Sequence, residues 1–184
     1  GANEAMDIVI RYFVPPGAVV LVDEPGYYPL FGKLKLAGAQ IVGVPRLADG
    51  PDLDALEQLL AVHRPRLFFT QSVAHNPTGS DITAAKAYRI LQLAERHNLL
   101  VVENDPLADF KPTAAARLSS LDQLERTIYI GSFSKSFSAA LRVGLVRNAA
   151  VGWSWAGPLA ALVIAGFAVR EGLEAWRGDG CCAA

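Results

Sequence analysis

Short β-branched runs alternate with longer amphipathic stretches through most of this chain, and that alternation limits the fold more than any other feature. Ala18 to Val22 is an unbroken apolar run, which suits a strand buried on both faces. Gln40 to Val44, Leu67 to Thr70, Leu99 to Glu103 and Thr127 to Ile130 are further short runs of the same kind, and Val143 to Val146 is a sixth. Between them lie stretches with apolar residues at helical spacing. Ala2 to Phe13 places Ala5, Met6, Ile8, Val9 and Tyr12 on such a stripe, and Pro15-Pro16-Gly17 stops it. Tyr27 to Ala37 is helical, with Gly38 as its C-terminal cap. Pro51 and Asp52 open a helix bearing Leu53, Leu56, Leu59 and Leu60 on one face. Thr83 caps another, which runs to Arg96 with a stripe of Ala87, Ile90, Leu91 and Ala94, and Asn98 stands where a left-handed residue would end it.

Strand–helix–strand units repeated in this way predict an α/β fold with three α/β/α layers around a mostly parallel sheet. The expected division is a core over 1–146 and an apolar tail over 147–184. With 184 residues, 52% of them hydrophobic, there is enough apolar surface to offset chain entropy, so bulk disorder is excluded. The 17 Lys+Arg against 18 Asp+Glu leave no basic excess to attract nucleic acid. The adjacent Cys181 and Cys182 make no disulfide framework, and three isolated histidines make no zinc pattern, so no metal is expected. A reduced, cytoplasmic setting follows as the expectation. The chain lacks an initiator Met and opens Gly1-Ala2-Asn3, which reads as the interior of a longer protein.

In parallel sheets ligands bind at the carboxyl ends of strands. Four such loops carry unusual polar groups. Ser132-Phe133-Ser134-Lys135 follows the Thr127–Ile130 run; a partly desolvated lysine there would favour the neutral, nucleophilic amine. Ser132, Ser134 and Arg142 offer donors for a phosphate. His75-Asn76-Pro77-Thr78-Gly79 is a turn whose Asn amide could face a ligand. Asp23-Glu24-Pro25-Gly26-Tyr27-Tyr28 brings aromatics to a strand end, where they could stack on a flat ligand. Glu103-Asn104-Asp105 ends a strand in three polar groups. Each loop alone also has an ordinary explanation: a solvated lysine, a plain turn, aromatics packing on a helix, a helix cap.

Together and in this order, the four loops resemble the fold-type-I pyridoxal-phosphate enzymes, specifically class I/II aminotransferases and the aminotransferase-like domain of GntR/MocR-type regulators. The resemblance runs from Gly1 to about Gly144. It implies the large domain of that fold, incomplete, and pyridoxal 5'-phosphate as cofactor. It implies that Lys135 forms the Schiff base and shuttles the proton, and that Ser132, Ser134 and Arg142 bind the phosphate. Ala2 and Asn3 would complete the phosphate cup at a helix start. Tyr27 would stack on the pyridine ring and Asn76 would donate to its 3′ oxygen. Prolines at the positions of Pro25 and Pro77 are often cis in the family. The substrates would be an amino acid and a 2-oxo acid, and the full-length parent a homodimer.

Two departures stand out. The family places Asp at the position of Asn104 and Tyr at that of Leu107. Either a bulge brings Asp105 to the ring nitrogen or the electron sink is weakened; both Asn104 and Asp105 are therefore candidates. No resemblance is visible after Gly144, where 148–169 is uncharged and long enough to span a membrane. An anchor there is the lesser expectation, since three glycines and a proline make it a poor helix. Two other functions compete with transamination: ligand sensing by a regulator domain, and an inactive truncated remnant.

Overall fold

The computed structural model describes residues 1–107, 110–111 and 116–132, together with the backbone of 144–147. Twelve elements follow in chain order: α1 (Ala2–Phe13), β1 (Val19–Glu24), α2 (Tyr28–Leu36), β2 (Gln40–Leu47), β3 (Gly50–Pro51), α3 (Leu53–His63), β4 (Leu67–Thr70), α4 (Ala84–Arg96), β5 (Leu100–Asp105), α5 (Leu118–Leu121), β6 (Thr127–Ser132) and β7 (Gly144–Arg147). The strands form one sheet in the order β3-β2-β1-β4-β5-β6-β7. The pairings among β2, β1, β4, β5 and β6 are all parallel, while β3 and β7 run antiparallel to their neighbours.

The local chemistry explains the helix boundaries. Asp52 caps α3 by accepting from the backbone N–H groups of Asp54 and Ala55, at 3.0 and 3.1 Å. Thr83 caps α4 through Lys86 N–H. Gly38, at φ +76°, follows α2 and supplies the left-handed residue that lets the chain turn into β2. Asn98 does the same after α4, at φ 50°.

Alternation along the strands divides the interior in two. Val20 and Val22 of β1, Leu67 and Phe69 of β4, Val102 of β5, and Ile128 and Ile130 of β6 pack with α1 and α2. Leu21, Phe68 and Val101 point the other way and pack with α3, α4 and Leu118 of α5. Helices therefore cover both faces, which gives the expected three layers. The stripe on α1 differs from expectation. Ala5, Met6, Val9 and Ile10 are buried, whereas Ile8 and Tyr12 are exposed. At 3.6 residues per turn, Ile8 falls on the side away from Met6, while Tyr12 stands at the edge of the buried stripe.

Sequence reading did not anticipate β3 or α5. Both are too short for a periodicity to show. Among the described residues no helix is long and apolar enough to cross a membrane, and the 148–169 stretch lies outside them.

Candidate functional site

The chain enters the sheet at β1, moves outward to β2 and β3, then returns to β4 on the other side of β1. That reversal leaves a crevice beyond the carboxyl ends of β1 and β4, where open α/β sheets hold their ligands. A pocket lies there. Its walls include Val22 and Asp23 of β1, Gly26, Tyr27, Phe31, Phe69, Gln71 and His75, with Asn104 of β5. The turn into it needs glycine at 26, because a Cβ would lie 2.2 Å from the Asp23 carbonyl oxygen and 3.0 Å from the Phe31 ring. The Glu24–Pro25 and Asn76–Pro77 peptide bonds in the two flanking loops are both cis.

A buried polar network braces one side of the pocket. Asp23 Oδ2 accepts from Arg46 Nη1 at 2.8 Å, from Thr70 Oγ1 at 2.8 Å and from the Gln71 backbone N–H at 3.3 Å. Arg46 Nη2 donates to the Gln71 carbonyl at 3.0 Å. Gln71 in turn accepts from the Asn76 backbone N–H through Oε1 at 3.0 Å and donates to the Ala74 carbonyl. The Asp23–Arg46 pair thus holds the whole loop from Gln71 to Asn76. Burial pushes the Asp23 carboxyl up to about 6, outweighing Arg46, Thr70 and Gln71, which act the other way. Burial and the Arg46 charge push His75 down to about 4, so its ring is neutral near pH 7. Its approach to Asp23 Oδ2 at 3.5 Å is therefore no ion pair at that pH. Asp23 Oδ1 is buried without a partner.

Residue 104 settles which end of the Glu103-Asn104-Asp105 run meets the pocket. The β5–β6 ladder is regular, pairing Asn104 with Ile130 and Asp105 with Gly131, so no bulge shifts the register. Asn104 shares the parity of Val102 and lines the pocket. Its Oδ1 is buried without a hydrogen-bond partner. Asp105 is turned to the other face, where Oδ2 accepts from Arg117 Nε at 2.7 Å and from the Tyr129 hydroxyl at 3.3 Å. Burial raises Asp105 to about 6 against the pull of Arg117; the Glu103 charge adds to the rise. Glu103, on the same face as Asp105, accepts from the backbone N–H groups of Leu118 and Ser119 and from the Ser72 hydroxyl.

Ala2 and Asn3 open α1, where the first backbone N–H groups have no intrahelical acceptor. The Tyr27 hydroxyl donates to Asn3 Oδ1 at 3.4 Å, which ties that helix start to the pocket wall. Ser132 ends β6 in phase with Ile128 and Ile130, on the Asn104 side of the sheet. Asn76 is exposed next to His75 and is not part of the wall. Leu107 is half-buried. Lys135, Ser134 and Arg142 lie outside the described residues. The sequence reading missed Arg46 and Gln71. A signal existed: Arg46 is in phase with the buried Val44 of β2, and a charge so placed needs an anion in the neighbouring strand.

The sequence model of the family described as aminotransferase class I and II matches residues 1–175. The chain belongs to that family. The match continues past Gly144, further than the recognisable motifs do. A 2-aminoadipate transaminase of Thermus thermophilus is 38% identical over 149 residues, covering 78% of this chain and 37% of the relative. A probable rhizopine catabolism regulatory protein, MocR, of Rhizobium meliloti is 32% identical over 79% of the chain and 29% of the relative. Among solved structures, LysN, an α-aminoadipate aminotransferase of T. thermophilus complexed with N-(5'-phosphopyridoxyl)-L-leucine, aligns at TM-score 0.74 and 33% identity, covering 83% of this chain and 41% of that one. The chain thus spans less than half the length of these relatives.

Proposed function

We propose that this chain is the cofactor-binding core of an aminotransferase, which moves an amino group between an amino acid and a 2-oxo acid with pyridoxal phosphate as carrier. The observation that carries the reading is the pocket at the β1/β4 reversal, walled by Tyr27 and Asn104 and flanked by the Asn76 loop. The residues present fit the cofactor. The orphaned Asn104 oxygen in the pocket wall awaits a partner. Tyr27 offers a flat face, and the start of α1 offers backbone donors to an anion.

When bound, the cofactor supplies an electron sink for charge that develops at the substrate α-carbon. The chain's own residues do the rest. Lys135 would anchor the cofactor through Nζ, take the α-proton there and return it. Ser132, Ser134, Arg142 and the amides of Ala2 and Asn3 would hold the phosphate. Tyr27 would press on the ring, and Asn76 would donate to its 3′ oxygen. The names of the relatives, with aminoadipate and aromatic amino acids among them, support 2-amino acids as the substrate class. The full-length parent is proposed to be a cytoplasmic homodimer.

A second reading is favoured by one observation, the neutral Asn104 at the pocket. In it the domain senses an amine or amino acid within a regulator. Incubation of the full-length, cofactor-loaded protein with an amino acid and a 2-oxo acid separates the two. Chromatography should detect exchange of the amino group, lost in Lys135→Ala. Cofactor binding with no exchange for any amino acid tried would overturn transamination in favour of sensing.

A further inference from the structure

Asn104 is 8% exposed, lines the pocket, and leaves Oδ1 without a partner. Glu103 and Asp105 point to the opposite face, and each already accepts from donors there. Asp23 is the one carboxylate among the described residues lining the pocket; its Oδ2 is shared by Arg46, Thr70 and Gln71, and its Oδ1 is buried without a partner. A cationic ring held against Asn104 would thus meet a neutral amide, and the carboxylate that shares the pocket, Asp23, is already paired with Arg46.

Resting on the cofactor-binding reading above, we propose that Asn104 keeps the pyridine nitrogen of bound pyridoxal phosphate unprotonated, by donating a hydrogen bond to it through Nδ2. A half-turn of the amide presents Nδ2–H in place of Oδ1, so the same side chain can donate without moving its backbone. A carboxylate partner would stabilise a ring N–H⁺, because opposite charges at hydrogen-bond distance favour the charged form. An amide brings no such charge, and burial penalises the ring cation. The neutral ring keeps its stacking on Tyr27 and its phosphate contacts but withdraws electrons less strongly. Binding therefore survives while removal of the α-proton slows. Asn104 determines how reactive the bound cofactor is.

The test is nitrogen-15 NMR of the chain loaded with pyridoxal phosphate labelled in the ring. The unaltered chain should give a ring-nitrogen resonance at the neutral-pyridine position between pH 6 and 8. Asn104→Asp should move it upfield to the pyridinium position, and Asp23→Asn should leave it where it was. A pyridinium resonance in the unaltered chain overturns the proposal; its disappearance in Asp23→Asn would then assign the ring partner to Asp23. A spectrum showing only free pyridoxal phosphate overturns the cofactor-binding reading itself, and this proposal with it.

Discussion

On the sheet face covered by α3 and α4, every strand-end carboxylate is held by a donor: Asp23 by Arg46, Glu103 by the amides of Leu118 and Ser119, Asp105 by Arg117. On the face covered by α1 and α2, β5 and β6 end in neutral groups, Asn104 and Ser132, with Tyr27 and Asn3 nearby, and the one strand-end carboxylate among the described residues, Glu24 of β1, is exposed. The first face spends its charges on itself and is a brace. The second lines the pocket with a neutral amide and an aromatic ring, and the backbone at the start of α1 adds positive potential. A phosphate-bearing, flat ligand matches the second face; the first can only position what holds it.

The largest expected effect comes from breaking the brace. Arg46→Met leaves Asp23 buried and unpaired, and should cost about 3–5 kcal/mol in urea denaturation. Asp23→Leu combined with Arg46→Met should lose clearly less than Arg46→Met alone, since no buried charge is stranded. Equal losses would mean that the pair does not act as a unit.

Next comes pH. Asp105 is raised from 3.8 to about 6, so the fold favours its protonated form. Its stabilising contribution is complete below pH 3.8 and disappears as pH rises through 6, by at most about 1.4 kcal/mol per pH unit. Asp105→Asn should therefore flatten the decline in stability between pH 4 and 6. An unchanged slope would show that Asp105 titrates normally.

The smallest effect belongs to the α1–α2 face. Lys33 donates to Asp7 at 2.7 Å, with side chains 23% and 28% exposed. Lys33→Met should cost at most about 1 kcal/mol by the same denaturation measurement. A cost near that of Arg46→Met would erase the contrast between the two faces.

Much of this arrangement was legible in the sequence. The β4 and α4 boundaries follow from Leu67–Thr70 and from Thr83 with Arg96, because a buried run and a cap each leave a local signature. The pocket loops were legible as polar groups at apolar strand ends. The orientation of Asn104 against Asp105 was not, since it depends on whether the β5–β6 register stays regular, a property of two strands together. The Asp23–Arg46 pair was hidden for a similar reason: its partners lie 23 residues apart on neighbouring strands. The exposure of Ile8 and Tyr12 shows that a helical stripe read from one segment fixes its direction only when the surface it packs on is known.

We propose that the face covered by α1 and α2 binds pyridoxal phosphate, with Lys135 as its Schiff-base partner. Borohydride reduction of the chain mixed with pyridoxal phosphate, followed by peptide mass mapping, tests it most directly. A single phosphopyridoxyl group should appear on Lys135 and be absent from the Lys135→Ala chain. No label, or label spread over surface lysines such as Lys33 and Lys86, would contradict it.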